Sequence, residues 1–345
     1  MKILLHIGTH KTGTTSIQRF ARGNEDNLKS RGWLYPGYDI VNARGHYAHH
    51  HIAHGLAMVR NNRIDLETAR KFIKEAVRLA ESYEYLFLSA EPFYRHFSGH
   101  KSVVNKSDSY WEAREKYISS VKDCFPENGN DIQVIITIRR QADFAMSLYK
   151  ETVRTKRYSK KFSVFLDEHW YYFEYIKQIK LWEKFFGKVK VLVFEDLVAT
   201  GNLVENFFSS LDLNIKDLPT TQIANKSWCA DFFEFKRRMN ATSCPAERLE
   251  DIEFFLEKNN TLWMSEHEQT SKDLVVSSET LNQFQAKFNT ENETIATGCL
   301  LKKCDKLFSG RIYLKNEEYK GLDSKRECEI FSRYLDYLFS QGKLI

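Results

Sequence analysis

The chain has 345 residues, of which 42% are hydrophobic and 28% are charged, and its formal net charge is +5 at pH 7. This composition is sufficient for a buried core and excludes an intrinsically disordered chain. The small positive charge argues against a nucleic-acid partner but suits anionic ligands. The longest apolar stretch is far shorter than a membrane span, and Met1 leads directly into a predicted strand without a signal-peptide pattern. We therefore predict a cytoplasmic protein with no transmembrane segment.

Apolar runs that alternate with helical patterns predict a parallel sheet covered by helices. The strand-like runs are residues 2–7, 85–90, 132–138 and 189–194. Apolar residues at helical spacing from Leu66 to Ala80 predict one of the covering helices. The sequence thus predicts an α/β fold with a doubly wound parallel sheet.

From about Asn225 the strand-like runs stop and phenylalanine-rich helical patterns follow. We expect a single domain over residues 1–345, with an α/β core over 1–222 and a mainly helical C-terminal portion over 223–345. No feature of the sequence indicates an oligomeric state.

The first predicted strand runs into a turn, residues 8–15, with the sequence GTHKTGTT. Its two glycines allow successive backbone N–H groups to point inward, and the N-terminus of the following helix adds a positive dipole. Lys11 contributes a full positive charge, and Thr14 and Thr15 contribute hydroxyl donors. The segment predicts a P-loop-like phosphate-binding turn.

The spacing of Gly8 and Gly13 matches a Walker A loop. In a Walker A loop, however, a Lys-Ser/Thr pair follows the second glycine and holds the β/γ-phosphates and Mg²⁺. Here Thr14 and Thr15 occupy those positions, and the lysine lies inside the loop at position 11. The pattern therefore favours a nucleotide with one 5′-phosphate, and no metal, over a triphosphate with its metal ion.

Two further segments follow this loop along the chain. They are the β-branched run 132–138, which is followed by Arg139 and then by Ser147, and the segment 191–197, VLVFEDL. Together with the loop they resemble the sulfotransferases that use 3′-phosphoadenosine 5′-phosphosulfate (PAPS). The segment 11–15, Lys-Thr-Gly-Thr-Thr, resembles the 5′-phosphosulfate loop of that family. The β-branched run 132–138, followed by Arg139 and then by Ser147, is similar to the family's 3′-phosphate element. The segment 191–197, VLVFEDL, resembles the family's strand that ends in Glu-Asp-Leu. The resemblance implies a P-loop-like fold and PAPS as the co-substrate, with no metal.

The resemblance also implies which residues bind the donor. The cofactor-binding residues that the resemblance implies are Lys11, Thr12, Gly13, Thr14, Thr15, Ser16, Arg139 and Ser147. Ser16 stands where the family's small-molecule branch has a tryptophan, and the C-terminal Arg-Lys-Gly segment of that branch has no clear counterpart. The candidates for its role are Lys302, Lys303 and Arg311. These departures point away from phenol and steroid acceptors and towards carbohydrates.

Sulfuryl transfer needs a base for the acceptor hydroxyl and a positive charge for the departing phosphate. Lys11 is suited to the second role. The family places a His or Glu after the strand between its two phosphate elements, and Glu91 follows the run 85–90 at that point. We predict that Glu91 is the general base. The alternative is that Glu91 only pairs with a nearby arginine such as Arg95.

A histidine cluster follows the first helix and offers a rival base. It comprises His46, His49, His50, His51 and His54. His46, His50 and His54 would share one face of a helix, which suits a metal, an imidazole base or contacts to an acceptor. A solvated histidine-rich loop is the alternative. No Asp, Glu or Cys completes a metal set at short range, so we predict no metal site and take His50 as the acceptor contact.

Further basic residues follow Ser147. They are Lys150, Arg154, Lys156, Arg157, Lys160 and Lys161. Such a run forms either a solvated helix end or a surface for an anionic saccharide.

These features favour a sulfotransferase of bacterial character that moves a sulfuryl group from PAPS to a hydroxyl of a carbohydrate or glycoconjugate. One alternative is a P-loop kinase, against which the missing Lys-Ser/Thr pair speaks. The other is a non-catalytic nucleotide-binding protein, against which the presence of both Lys11 and Glu91 speaks.

Overall fold

The computed structural model describes residues 1–99, 107–126, 131–219, 227–267, 275–300, 306–308 and 310–343. Within these ranges, parallel strands form a five-stranded sheet in the order β2-β3-β1-β4-β5. The strands are β1 Lys2–His6, β2 Trp33–Leu34, β3 Tyr85–Ser89, β4 Asp131–Ile138 and β5 Val189–Val193. The four predicted strands are confirmed to within one residue at each end. The two-residue β2 is too short to show a period in the sequence.

The helices connect and flank these strands. In the described ranges the α-helices are α1 Thr14–Gly23, α2 Glu25–Lys29, α3 His50–Leu56, α4 Leu66–Ala80, α5 Pro92–Arg95, α6 Ser107–Lys122, α7 Gln141–Thr155, α8 Phe162–Glu168, α9 Tyr175–Phe186, α10 Phe194–Val198, α11 Leu203–Ser209, α12 Ala230–Asn240, α13 Ala246–Glu266, α14 Ser278–Ala286, α15 Asn289–Thr294 and α16 Ser324–Ser340. The predicted covering helix is confirmed as α4, which Asp65 caps by accepting a hydrogen bond from the backbone N–H of Thr68. None of the helices in these ranges combines the length and apolarity needed to cross a bilayer.

Helices cover both faces of the sheet. On one face, Leu4 of β1 and Phe87 of β3 pack in a cluster with Ile17 of α1 and Phe207 of α11. On the other face, α4 contacts β3, and α9 contacts β4 and β5. Because both faces are buried, the strands are continuous apolar runs and show no alternation in the sequence. The doubly wound α/β arrangement is therefore confirmed.

The described residues group into two compact units. The first consists of residues 1–140, 170–223 and 290–309 and contains the sheet. The second consists of residues 141–169, 224–289 and 310–345, and in its described part the elements are helices. Its core includes Phe232 of α12, Trp263 of α13 and Tyr334 of α16. The single domain expected from the sequence stays a prediction.

Candidate functional site

The predicted phosphate-binding turn connects β1 to α1 at the carboxyl end of the sheet, where ligands bind in doubly wound folds. Gly13 has a φ of 73°, and a Cβ added there would lie 2.0 Å from Cδ2 of Leu203. Glycine is therefore required both for the backbone conformation and for space. Lys11 also has a positive φ, 65°. In the described part of the chain no side chain caps the N-terminus of α1, so its first N–H groups suit an anion.

Arg139, directly after β4, holds this loop in place. Its Nη1 donates a hydrogen bond of 3.0 Å to the carbonyl of Lys11, and its guanidinium packs over the ring of Phe194 at 5.0 Å from the centroid. Tyr175 in turn donates a 2.6 Å hydrogen bond to the carbonyl of Arg139. These contacts stabilise the unusual backbone conformation of Lys11. Local sequence patterns do not indicate these contacts, because 128 positions separate Arg139 from Lys11.

Thr12, Thr15 and Ser16 differ in burial and in their contacts. Thr12 is buried, and its hydroxyl donates a 2.6 Å hydrogen bond to the carbonyl of Thr9 inside the loop. The hydroxyl proton of Thr12 is therefore used within the loop. Thr15 and Ser16 lie half-buried in the first turn of α1. Their assignment to the donor stays a prediction.

Glu91 lies at the same edge of the sheet, just after β3, and only 5% of it is exposed. Its Oε1 accepts a 2.5 Å hydrogen bond from the Thr14 hydroxyl, and its Oε2 accepts a 3.0 Å hydrogen bond from Nε2 of Gln18. His50 Nε2 is bonded to the same Oε2. Among the hydrogen bonds of the described residues, those of Glu91 lead to these partners and not to Arg95. The carboxylate therefore joins the loop to the histidine cluster.

The surroundings of Glu91 keep its carboxyl group ionised. Burial by itself would raise the pKa of Glu91, but the hydrogen bond and charge of His50, with smaller contributions from His10 and Thr14, hold it well below its usual value. Of the His50 side chain, 23% is exposed, against 7% for Glu91. His50 is thus the accessible member of the pair, and its Nδ1 makes no hydrogen bond to the described residues.

The bond from Thr14 to Glu91 predicts a pH-dependent loss of stability in Thr14→Val. Hydrogen bonds to charged groups contribute about 1.5–3 kcal/mol, so the variant should unfold more easily by about that amount at pH 7. Because the folded-state pKa of Glu91 is depressed, the stabilisation exists above the unfolded-state pKa and is lost as the pH falls towards the folded-state pKa. The difference between wild type and variant should therefore shrink in acid. Denaturant unfolding from pH 3 to 7 measures it.

Two matched variants control this experiment. Thr14→Ser keeps the hydroxyl and should behave like the wild type. Thr15→Val changes the neighbouring threonine, whose hydroxyl is not among the hydrogen bonds described for Glu91. A stability difference for Thr14→Val that is the same at every pH would show that the bond to Glu91 carries no charge-dependent energy.

A row of buried polar side chains lies beneath Glu91. His6 Nδ1 is 2.9 Å from the Ser89 hydroxyl, to which Gln18 Nε2 also donates at 3.2 Å. Thr137 lies on the other side, with its hydroxyl 3.4 Å from His6 Nε2. Burial lowers the pKa of His6 to about 4, which keeps the ring neutral. Sequence reasoning missed this row, although a polar residue near the end of each of three apolar strands was a signal.

One prediction about the histidine cluster is wrong. The helix α3 begins at His50, so His46 precedes it and does not share a helix face with His50. The two rings are nevertheless close, with centroids 5.3 Å apart. His49 is buried and accepts a 3.0 Å hydrogen bond from the backbone N–H of Ser89. The segment before α3 is therefore packed against the end of β3 and is not a solvated loop.

The last histidine of the cluster finds a partner that the sequence did not suggest. His54 Nδ1 lies 2.7 Å from Nε2 of His96. Burial, followed by the charge of Arg95, lowers the pKa of His54 to about 4 and that of His96 to about 2, so both rings are neutral.

Among the described residues no group of three or more His, Cys, Asp or Glu side chains is arranged to hold a metal ion.

In the second unit, Ser147 lies on α7, one turn after the buried Asp143. Asp143 accepts a 2.9 Å hydrogen bond from the Tyr313 hydroxyl, and Nη1 of Arg311 lies 3.4 Å from it. Arg311 is thus held against the helix that carries Ser147. The other C-terminal candidates, Lys302 and Lys303, lie outside the described residues.

Three residues of the basic run after Ser147 make contacts within the second unit. Arg154 pairs with Glu257 at 3.5 Å, and Lys160 pairs with Glu168. Arg157 donates a hydrogen bond to the carbonyl of Thr242. These contacts fit the first of the two interpretations of the run, a solvated helix end.

No protein-family model and no curated protein matches the chain. One solved structure to which the chain is similar is a sulfotransferase from Alicyclobacillus acidocaldarius. The identity is 16%, the similarity covers 77% of this chain and 95% of that chain, and the TM-score is 0.38. The strand order and register of this chain define its α/β fold independently of this similarity.

Proposed function

We propose that the protein is a sulfotransferase that moves a sulfuryl group from PAPS to a hydroxyl of a carbohydrate or glycoconjugate. The observation that carries the proposal is the buried Glu91 carboxylate, which accepts a hydrogen bond from Thr14 of the loop and is bonded to the accessible His50. This contact supports the proposal because it brings a carboxylate and an imidazole next to the turn that we propose binds the donor phosphate. Transfer of a group from a phosphate to a hydroxyl needs that juxtaposition.

The residues of the first unit suit the steps of the reaction. An acceptor oxygen attacks sulfur, a new S–O bond forms, and the bond from sulfur to the 5′-phosphate oxygen breaks. The acceptor proton passes to the hydrogen-bonded pair of His50 and Glu91, while Lys11 and the first N–H groups of α1 stabilise the charge that develops on the departing phosphate. His50 is the member that an acceptor can reach, and buried Glu91 holds the imidazole and its charge.

The pair of Glu91 and His50 argues against one of the two alternatives, and the loop sequence argues against the other. A non-catalytic nucleotide-binding protein has no need of a buried carboxylate, whose desolvation is costly unless several donors compensate it. A P-loop kinase requires a Lys-Ser/Thr pair after Gly13, and this chain has Thr14 and Thr15 there. An absolute requirement for ATP and Mg²⁺ would nonetheless establish the kinase.

We predict that adenosine 3′,5′-bisphosphate binds in the presence of EDTA and more tightly than adenosine 5′-monophosphate. The assignment of Arg139 and Ser147 to the 3′-phosphate stays a prediction from the sequence, since the two residues belong to different units. Charged hydrogen bonds from Arg139 should contribute about 1.5–3 kcal/mol. Calorimetric titration measures the difference, and equal affinities for the two nucleotides would refute the 3′-phosphate assignment.

Incubation of the protein with radiolabelled PAPS and fractionated cell-surface glycans tests the reaction itself. Labelled glycan is the expected product, and it should form without added metal. Binding of the bisphosphate without any labelled product would support the non-catalytic alternative.

A further inference from the structure

A shallow cavity of the first unit contains two arginines that form no ion pair with the residues that the structure describes. Its volume is about 590 Å³. It is lined by Val41, Asn42, Ala43, Arg44, Arg63, Ile64, Asp65 and Thr68. In the described part of the chain neither Arg44 nor Arg63 takes part in an ion pair, in contrast to Arg154 and Lys160 of the basic run. The cavity therefore offers two guanidinium groups to a ligand.

The acidic residue of the cavity does not neutralise them. Asp65 accepts a 2.8 Å hydrogen bond from the backbone N–H of Thr68, as the cap of α4. Hydrogen bonds from Thr68 lower the pKa of Asp65, so this carboxylate is charged and already bonded to the helix end. Two positive groups against one negative group leave the lining with a net charge of +1.

The segment that carries Arg63 is fixed in place by its neighbour. Asn62 Nδ2 donates hydrogen bonds of 2.8 Å to the carbonyls of His51 and Ile64. Its Oδ1 lies 2.9 Å from Nδ1 of His51. Asn62 therefore ties the segment to α3, the helix that begins with His50. These bonds hold the backbone on either side of Arg63 against α3.

Histidine rings lie between the segment that carries Arg63 and the pair of His50 and Glu91. The ring of His46 lies 5.3 Å from that of His50 and 5.5 Å from that of His51. Oδ1 of Asn62, the residue before Arg63, lies 2.9 Å from Nδ1 of the same His51. The segment that carries Arg63 is therefore linked to His50 through Asn62, His51 and His46.

We propose that Arg44 and Arg63 bind an anionic group, a carboxylate or a sulfate, of an acidic saccharide acceptor. A hydroxyl of the same saccharide would then lie at His50. Guanidinium groups suit this role because their planar N–H groups pair with two oxygens of a carboxylate or sulfate. The inference rests on the proposed function for the identity of the acceptor as a saccharide, and it narrows that class to acidic ones.

The test measures binding, not turnover, in the presence of adenosine 3′,5′-bisphosphate. The probes are a hexuronate oligosaccharide, its carboxyl-reduced neutral form and a sulfated derivative of the neutral form. Wild-type protein should bind at least one acidic form more tightly than the neutral form. Arg63→Ala and Arg44→Ala should each weaken binding of that acidic form by about three- to tenfold and leave the neutral form unaffected.

Arg60→Ala is the matched control, because Arg60 is exposed in the same segment but does not line the cavity. An equal loss in Arg60→Ala would show a general charge effect and overturn the inference, as would equal affinity of the wild type for acidic and neutral forms. The bisphosphate separates the two proposals. If it does not bind, the proposed function fails. If the bisphosphate binds, but Arg44→Ala and Arg63→Ala bind the acidic forms as tightly as the wild type does, only this inference fails.

Discussion

Glu91→Gln should lower the rate of sulfuryl transfer by about 10²–10⁴-fold, the usual loss when a general base is removed. Glutamine keeps the size of the side chain but lacks the negative charge of the carboxylate. That charge holds His50 and stabilises the proton that His50 takes from the acceptor. The loop contacts of Lys11 and Arg139 do not involve Glu91, so affinity for adenosine 3′,5′-bisphosphate should stay close to that of the wild type. Transfer kinetics with a saccharide acceptor, together with nucleotide titration, measure both quantities.

The variants of His50 identify the atom that takes the proton. If His50→Ala loses as much activity as Glu91→Gln, the two residues act as one base, and the double variant should be no worse than either single variant. If Glu91→Gln retains nearly normal transfer while His50→Ala abolishes it, the histidine acts alone and the assignment of Glu91 is wrong. Loss in Glu91→Gln with normal transfer in His50→Ala would leave Glu91 as the base by itself.

Lys11→Ala should reduce turnover by about 10²–10³-fold, the range found when a group that stabilises developing charge is removed. The positive charge is most needed when the departing phosphate gains negative charge in the transition state, so turnover should fall more than affinity for the spent nucleotide. Wild type and Lys11→Ala can be compared directly, because lysine and alanine have similar backbone strain at the positive φ of position 11. Glycine would relieve that strain and confuse the result.

Lys11→Arg is the control that keeps the charge while changing its shape. It should retain more turnover than Lys11→Ala if the charge is what matters. An equal fall in turnover and in nucleotide affinity for Lys11→Ala would mean that Lys11 only binds the nucleotide.

The buried position of Glu91 explains why its partners matter for both chemistry and stability. A carboxylate removed from water is costly unless hydrogen bonds and an opposite charge compensate it. Thr14, Gln18 and His50 supply these bonds.

The sequence by itself determined the parts of the fold that depend on neighbouring residues. Buried parallel strands are continuous apolar runs, so β1, β3, β4 and β5 could be located from those runs alone. The helical spacing from Leu66 to Ala80 identified α4, and the glycines around Lys11 identified the turn. The position of Glu91 at the carboxyl edge followed from its place after a strand.

Only the tertiary structure decided which side chains meet. Glu91 and His50 are 41 positions apart, and their contact depends on where α3 packs against the end of β3. The bonds from Gln18 to Glu91 and from Arg139 to Lys11 span 73 and 128 positions. The beginning of α3 at His50, and not at His46, was likewise set by packing. Local patterns record the period of a helix or strand, whereas contacts of this kind depend on strand order, register and burial, which no short stretch of sequence contains.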